Sequence, residues 1–490
     1  MKSTLLTKGL LANQVRHLPF PLTVILPGDE TLVLHKALRV IPNKRLTAIG
    51  EWQHKTILVK LFFHPRKAHF HATRDKEGVQ YLIDAHLLTP HLYYIGQAVD
   101  PNVSVLIFEY VEEALSFDVI WENAVDPLVQ QSVLSQLITM IARQHEAGLI
   151  QEDMHLGNFM GKAGNVYSVD GDGIKRAAFG VVSFSMGLKN IAQLLAEMGF
   201  IHPVQYGSAL KQYGQLRSRA IGSSERQHLE EDIIQFTQQL RKERLAKTGR
   251  DCTGFAVYEN MQMRLVWARK SLRHHWPDWF NTIQKRLKNN KNARMQMGDA
   301  SWVKEGEDAS FVWVAAFPWQ NRQAYFGLGL PGSAAAQTWM NAHALAMIRV
   351  PGLTPLAFGE CGFWPWLGKR YVIFEGIAGL PLSELVEERC LSDFDFSALF
   401  TEVVRIFDRL IQQKTSCGLL TLTHFFVTEK GLLLSHVPTV RYCPSAEQFK
   451  REMRPSLVAF LTALAPYPRI QDTAKALFNH SPYIDSLLAS

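Results

Sequence analysis

The chain repeats itself. "IDAHLLTPHLYYIGQA", from Ile83, is echoed by "MIRVPGLTPLAFGEC", from Met347, and a run containing Phe-Glu follows each: "VLIFEYVEEALSFDVIWE" and "YVIFEGIAGLPLSELVEE". Further along, "HEAGLIQEDMHLGNFMGKAGNVYSVD" has a shorter counterpart in "KTSCGLLTLTHFFVTEKGLLLSHV". Upstream, "NKRLTAIGEWQHKTILVKLFF" parallels "NNKNARMQMGDASWVKEGEDASFVWVAAF". Four matches in one order imply a duplicated domain, so the fold has to be one that can be built twice. The boundary falls near residues 255 to 290. The 490 residues suffice for two such domains, and 47% hydrophobic with 20% charged residues can bury a core in each.

Within each copy the pattern changes from strand to helix. "KTILVKLFF" and "VSVLIFEYV" are short β-rich runs, and "ATRDKEGVQYLIDAHLL" after the first is helical. "PLVQQSVLSQLITMIARQHEAG" sets Val133, Leu137, Ile138 and Ile141 on one helical stripe, with Gly148 where a C-cap belongs. The stretch from His145 reads as strand, loop, strand, and a second helix, "LKNIAQLLAEMG", follows. Each copy is therefore expected to be α+β, a small strand-rich lobe followed by a larger helical lobe.

Composition excludes some classes. Five cysteines (Cys252, Cys361, Cys390, Cys417, Cys443) are scattered with no CxxC pair, which argues against a disulfide framework or a zinc site and fits a reducing compartment. No secretory core follows the N-terminal residues and nowhere do 18 apolar residues run together, so a cytoplasmic protein is expected. The formal charge is +7, with basic residues dense from Arg241 to Arg294. That tract reads as a solvated helix face, or as a surface for an anionic membrane, an acidic lipid headgroup or nucleic acid; composition does not choose.

The chemistry is concentrated in "HEAGLIQEDMHLGNFMGKAGNVYSVDGDGI", His145 to Ile174. Asp153 and Asn158 stand five positions apart, and Asp170 follows twelve after Asn158, where a hairpin would return a second carboxylate. A site for phosphoryl transfer needs a carboxylate to orient the acceptor hydroxyl, two ligands for Mg²⁺ and a cation on the nucleotide phosphates. The Asp153/Asn158 spacing is that of the catalytic loop H-R-D-L-x-x-x-N, and an Asp with an Asn amide oxygen suits Mg²⁺. The cation lies upstream: Lys60 interrupts the apolar run "TILVKLFF", a costly place for a charge unless it is paired. Glu77, seventeen positions later on the helix, is the expected partner. "IFEYV", Ile107 to Val111, fits a hinge whose backbone, around Glu109 and Val111, would hydrogen-bond adenine.

On these residues the N-terminal half resembles the eukaryotic-like kinase fold in its atypical bacterial form, and most of all the lipopolysaccharide core kinases (heptose and Kdo kinases). The carriers are "ILVKLF", "QEDMHLGNF", "YSVDGDG", "LKNIAQLLAEM" and "KTGRDCTGF", and they span roughly residues 30 to 260. The DxHxxN…D pattern is also similar to aminoglycoside phosphotransferases. The resemblance implies a bilobal kinase-like domain that uses ATP and Mg²⁺. It implies Lys60, Glu77 and Asp153 as catalytic residues, Glu109 and Val111 at the nucleotide, and Asn158 and Asp170 as metal ligands. The implied acceptor is a sugar hydroxyl of the lipopolysaccharide inner core at the cytoplasmic membrane face; a protein Ser/Thr or a small-molecule hydroxyl remains the alternative. Gln151 and Glu152 replace the His and Arg of H-R-D, Asp170-Gly171-Asp172-Gly173 replaces D-F-G, and only Gly50 precedes Lys60 where a glycine-rich loop is usual. Asp172 reads either as a second metal ligand or as a turn former. Lys175 and Arg176 read as steering groups for an anionic acceptor or as surface residues. His145 and His155 read as structural.

The second copy lacks the set. Its matches put Ala315 opposite Lys60, Ala342 opposite Glu77, Leu419 opposite Asp153, His424 opposite Asn158 and His436 opposite Asp170. The expected organisation is an active kinase-like domain over 1–260 (lobes divided near 112), a helical linker over 261–284, and a degenerate kinase-like domain over 285–490. That last domain would serve as a scaffold or docking surface for an envelope-assembly protein; His424 and His436 read as structural rather than as a metal pair. A rival reading makes both domains a binding platform in which nucleotide acts only as a switch. Contact with an anionic membrane surface is a possible partner interaction, and nucleic acid is not an expected one.

Overall fold

The computed structural model describes residues 3–13, 18–99, 103–124, 126–199, 203–271, 276–289, 295–297, 300–305, 311–317, 334–361, 369–390, 394–435, 439–443, 445–481, 483–484 and 487. The chain divides into two compact units, Met1–Leu240 and Arg241–Ser490. Unit 1 runs β1 (Thr4–Leu5), α1 (Lys8–Asn13), β2 (Leu22–Ile25), β3 (Thr31–Ile41), β4 (Arg45–Trp52), β5 (Lys55–Phe62), α2 (Ala68–Asp84), β6 (Leu92–Gln97) and β7 (Ser104–Glu109). It continues through β8 (Leu115–Ser116), α3 (Phe117–Asn123), α4 (Pro127–Glu146), β9 (Leu149–Gln151), β10 (Phe159–Lys162), β11 (Asn165–Ser168), β12 (Ile174–Arg176), α5 (Phe184–Met198) and α6 (Pro203–Leu216). Helix α7 (Ser223–Lys247) contains the division between the units.

Unit 2 follows with β13 (Phe255–Glu259), β14 (Met263–Ala268), α8 (Trp276–Asn289), β15 (Met295–Met297), β16 (Ala300–Glu305), β17 (Val312–Phe317), α9 (Ala334–Met347), β18 (Pro355–Cys361) and β19 (Lys369–Glu375). Its later part holds β20 (Gly379–Pro381), α10 (Leu382–Arg389), α11 (Ser397–Gln412), β21 (Thr415–Ser416), β22 (Phe425–Thr428), β23 (Gly431–Leu434), β24 (Arg441–Tyr442), α12 (Ala446–Ala463) and α13 (Pro468–Asn479). Both units are α+β, and their sheets share one plan. The order β3-β4-β5-β7-β6 in unit 1 matches β15-β16-β17-β19-β18 in unit 2, with a helix between the third and fourth strands in sequence. Below them β11-β10-β8 matches β23-β22-β20, and β12-β9 matches β24-β21.

The units differ at the sheet edges. Unit 1 adds β1 and β2 beside β3, whereas unit 2 adds β13 and β14 beside β18. This corrects the expected boundaries. Residues 261–284 are not one helical linker: only the part from Trp276 onward is helix, and Met263–Ala268 is a strand paired on both sides, to β13 and to β18. The alternating run "MRLVWA" buries Met263, Leu265 and Val266, so it needs a sheet on which to lie. The basic tract is also partly internal to unit 2. Arg241 donates to Thr415 Oγ1 and Gln413 Oε1, Arg264 to the Gly249 carbonyl, and Arg269 to the Cys252 and Phe255 carbonyls. Among the described residues no helix is long and apolar enough to cross a membrane.

In unit 1 the period-two alternation of β5 sets up the site. Ile57, Val59 and Leu61 face one core, packed with Leu34, Leu46 and Ile107. Leu58, Lys60 and Phe62 take the other face, where Phe62, Leu106 and Phe108 meet Ala68, Ala72 and Val79 of α2. Lys60 therefore points toward the helix because the strand has one side left for it. The helical stripe expected in α4 forms: Val133, Leu137, Ile138 and Ile141 are all buried. Gly148 just after it adopts φ 73°, and its N–H donates to the His145 carbonyl.

Candidate active site

Asp153, Met154 and His155 follow β9, and a single 3₁₀ turn at Leu156–Asn158 leads into β10. The turn is braced at several points. His155 Nδ1 accepts from the Gly157 N–H, which leaves its Nε2 to face the Glu197 carboxylate at 3.4 Å. Asn158 is nearly buried, and its Nδ2 donates to the Asp153 carbonyl at 2.8 Å. With the amide nitrogen so committed, Oδ1 is the atom left for a cation. The Asp153 carboxylate is on the exposed side of the loop. Val169 N–H donates to the Asn158 carbonyl, so the return strand β11 delivers Asp170 next to the turn.

Behind the loop lies a buried polar relay the sequence patterns missed. Arg217 donates to the Tyr213 hydroxyl, and that hydroxyl lies 2.9 Å from His145 Nδ1. Asn190 Nδ2 donates to the Gln151 carbonyl and to Gln193, so its Oδ1 accepts from His145 Nε2–H at 3.0 Å. His145 is thus neutral, a donor at one nitrogen and an acceptor at the other. Burial drives its pKa down to about 4. A folded-state pKa below the unfolded one gives stability that is complete above about pH 6.5 and is lost as pH falls toward 4. The loss is about 1.4 kcal/mol per unit, about 3 kcal/mol in all. Chemical denaturation at pH 7 and pH 4.5 should show His145→Gln less acid-sensitive than wild type; equal sensitivity would mean that the relay is not neutral.

Lys60 closes the site from above. Its Nζ donates to Asp75 Oδ2 at 2.7 Å and to Asp170 Oδ1 at 3.1 Å. It lies over the Phe108 ring at 5.2 Å. Burial alone would raise Asp170, but Lys60 and Arg45 outweigh it and hold the carboxyl at about 2. Burial opposes charge on Lys60 as well, yet Asp170 and Asp75 keep it raised and protonated. Asp75 is fully buried, and that burial pushes its carboxyl up against the pull of Lys60. Of the two carboxylates, Asp170 ionises first.

The lysine's helix partner is thus Asp75, and Glu77 is corrected. Ala68, Ala72, Asp75, Val79 and Leu82 form the buried stripe of α2, whereas Glu77 lies about 200° around the helix from Asp75 and is exposed. A carboxylate on an otherwise apolar stripe was the available signal, the same kind that marked Lys60. Asp75 Oδ1 also accepts from the Gly171 N–H at 3.2 Å. Beside it in the helix, Arg74 donates to the Asp172 carbonyl at 2.8 Å, and its Nε lies 3.2 Å from Asp172 Oδ1. Asp172 is therefore engaged by the helix. Lys175 pairs with Glu152 at 2.6 Å and Arg176 with Asp84 at 3.3 Å, surface pairs of little energetic weight.

The other predicted residues sit as follows. Glu109 ends β7; its N–H donates to the His91 carbonyl and its carboxylate accepts from the His91 N–H. Val111 lies just past the strand, and its carbonyl accepts from the Ala114 N–H. Among the described residues no three His, Cys, Asp or Glu side chains come together as a metal-holding group. The donors at hand are the Asp170 carboxylate and the Asn158 amide oxygen. That hard, sparse set fits Mg²⁺, which keeps most of its shell as water or phosphate oxygen.

Unit 2 repeats the framework with other side chains. Ala315 stands two residues before the end of β17, as Lys60 does in β5. The helix ends match through Leu87 N–H to Leu82 O and Val350 N–H to Leu345 O, which sets Thr338 opposite Asp75 and Met340 opposite Glu77. The Ala342 alignment was two residues out: the helix-to-strand loops are equally long, Thr354 stands opposite His91, and the two Leu-Thr-Pro segments therefore do not occupy equivalent positions. His424 N–H to Thr421 O and Ser435 N–H to His424 O reproduce the bonds around Asn158 and leave Leu419 at the place of Asp153. His424 Nδ1 accepts from the Thr421 N–H, a capping role, and His436 lies outside the described residues.

No protein-family model and no curated protein matches this chain. Among solved structures, one described as "WaaP in complex with acyl carrier protein" is 16% identical over 38% of this chain and 81% of that chain, with a TM-score of 0.30. At that level the likeness assigns nothing to individual residues.

Proposed function

We propose that unit 1 is an ATP- and Mg²⁺-dependent kinase that phosphorylates a hydroxyl. One observation carries this reading: a buried strand lysine joins a helix carboxylate to the carboxylate that follows an Asp…Asn loop. In protein kinases the β3 lysine pairs with a helix αC acid and reaches the phosphates, while an Asn and a second Asp hold the metal. Lys60 then holds nucleotide phosphates and Asp75 orients it. Asn158 and Asp170 are the residues that would hold Mg²⁺, which when bound neutralises charge building on the phosphates. The backbone around Glu109 and Val111 holds adenine. Asp153 accepts the acceptor proton as the new oxygen–phosphorus bond forms and the bond to the leaving diphosphate breaks.

The acceptor is a sugar hydroxyl of the lipopolysaccharide inner core at the cytoplasmic membrane face, a reading supported by the motif resemblance. No arginine precedes Asp153 to await a phosphorylated activation loop, which favours a constitutive kinase of this sort. Unit 2, with Ala315, Leu419 and His424 at the corresponding places, acts as a degenerate copy that docks an envelope-assembly partner. The test is transfer of ³²P from γ-labelled ATP with Mg²⁺ to dephosphorylated lipopolysaccharide core and to a generic protein. Wild type should label the lipopolysaccharide. Asp153→Ala should lose about 10²–10⁴ of the rate with nucleotide affinity intact. Undiminished turnover in that variant would refute the assignment. Label in protein alone would keep the mechanism and discard the lipid. No label with ATP still bound would favour the platform.

A further inference from the structure

Arg45 belongs to no motif. It ends the turn between β3 and β4, and its ladder neighbour is Phe62, at the end of the Lys60 strand. Its side chain is only 8% exposed. Nη1 lies 3.6 Å from Asp75 Oδ2 and 3.7 Å from Asp170 Oδ1, the same two oxygens to which Lys60 donates. Both distances exceed hydrogen-bond reach, and Nε is buried with no acceptor. The guanidinium thus has charged neighbours but no hydrogen bond among the described residues. A buried fork of N–H donors left unspent needs an explanation, and paired oxygens of an anion supply the matching geometry.

The turn itself sharpens the point. A glycine-rich turn binds phosphate through backbone amides, because without side chains the backbone can approach closely. The turn Ile41-Pro42-Asn43-Lys44-Arg45 holds no glycine, and its positive-φ residue is Asn43. A backbone cradle is therefore not available there, while a side-chain cation is already in place beside Lys60.

We propose that Arg45 binds the phosphate oxygens of the nucleotide side by side with Lys60, a guanidinium doing from this hairpin what glycine amides do elsewhere. The proposal rests on the nucleotide-binding reading of the site. Arg45 is then a binding residue for the polyphosphate and contributes nothing to the nucleoside. Calorimetric titration with Mg²⁺ and ATP, AMP or adenosine tests this on the full chain, using wild type, Arg45→Met and Arg45→Lys. Arg45→Met should weaken ATP roughly 10- to 100-fold and leave adenosine unchanged, and Arg45→Lys should fall between because it keeps the charge and loses the fork. If Arg45→Met does not fold, Arg45→Lys decides by the same comparison of ATP with adenosine. Equal weakening of both ligands, or no weakening of ATP, would overturn the role and make Arg45 a structural partner of the two carboxylates. Wild type that binds none of the three would overturn the nucleotide reading itself, and this role with it.

Discussion

Asp75→Ala is expected to cost about 3–5 kcal/mol of stability and to remove activity, whereas Glu77→Ala should change neither by more than about 0.5 kcal/mol. Asp75 has no exposed surface and takes the shortest of the contacts made by Lys60. Without it, Lys60 and Arg45 share one carboxylate, Asp170, at a largely buried place. An uncompensated buried cation is among the few single changes that cost this much. Thermal and chemical denaturation would measure the loss, and hydrogen exchange along α2 would locate it. If Glu77→Ala proved as damaging as Asp75→Ala, the spacing-based assignment would return and the stripe argument would fail.

The second large effect is expected at Gly78. A Cβ there would lie 1.9 Å from the Gly171 carbonyl oxygen and 2.7 Å from its carbon. Neither atom belongs to a flexible side chain, so α2 or the Asp170 turn has to move. Gly78→Ala should therefore cost about 3 kcal/mol and loosen the seat of Lys60, with transfer falling alongside. Gly164, in the β10–β11 turn, is the control. It has nothing within 4 Å, and at φ 78° alanine should cost only about 1 kcal/mol. Equal stability for Gly78→Ala and wild type would show that helix and turn do not meet as closely as described.

What could be read in advance depended on how far apart the cooperating residues lie in sequence. Asp153, Asn158 and Asp170 sit within one hairpin, where spacing alone sets geometry. Lys60 declared itself as a charge in an apolar strand. The shared strand order of the two units was legible too, since four matches in register describe a topology. Asp75 was missed because a motif separation was carried onto a helix without asking which face each carboxylate takes. Arg45, Arg74 and Gly78 left no local trace. Each matters only through residues between about thirty and 125 positions away, brought near by folding. The boundary error has a similar origin: Phe255–Ala268 looks like the end of one domain until its pairing with β18 assigns it to the next.

Arg74, Asp75 and Gly78 occupy a single turn of α2, and each is met by Gly171 or Asp172. A kinase that is switched off by swinging its helix needs two resting positions of similar energy for that helix. Here an ion pair, a hydrogen bond and a glycine-to-glycine contact would all have to break in the same movement. On the kinase reading proposed above, the off position would thereby be closed and throughput governed by the supply of nucleotide and acceptor, like a valve fixed open in a pipe whose flow is set upstream.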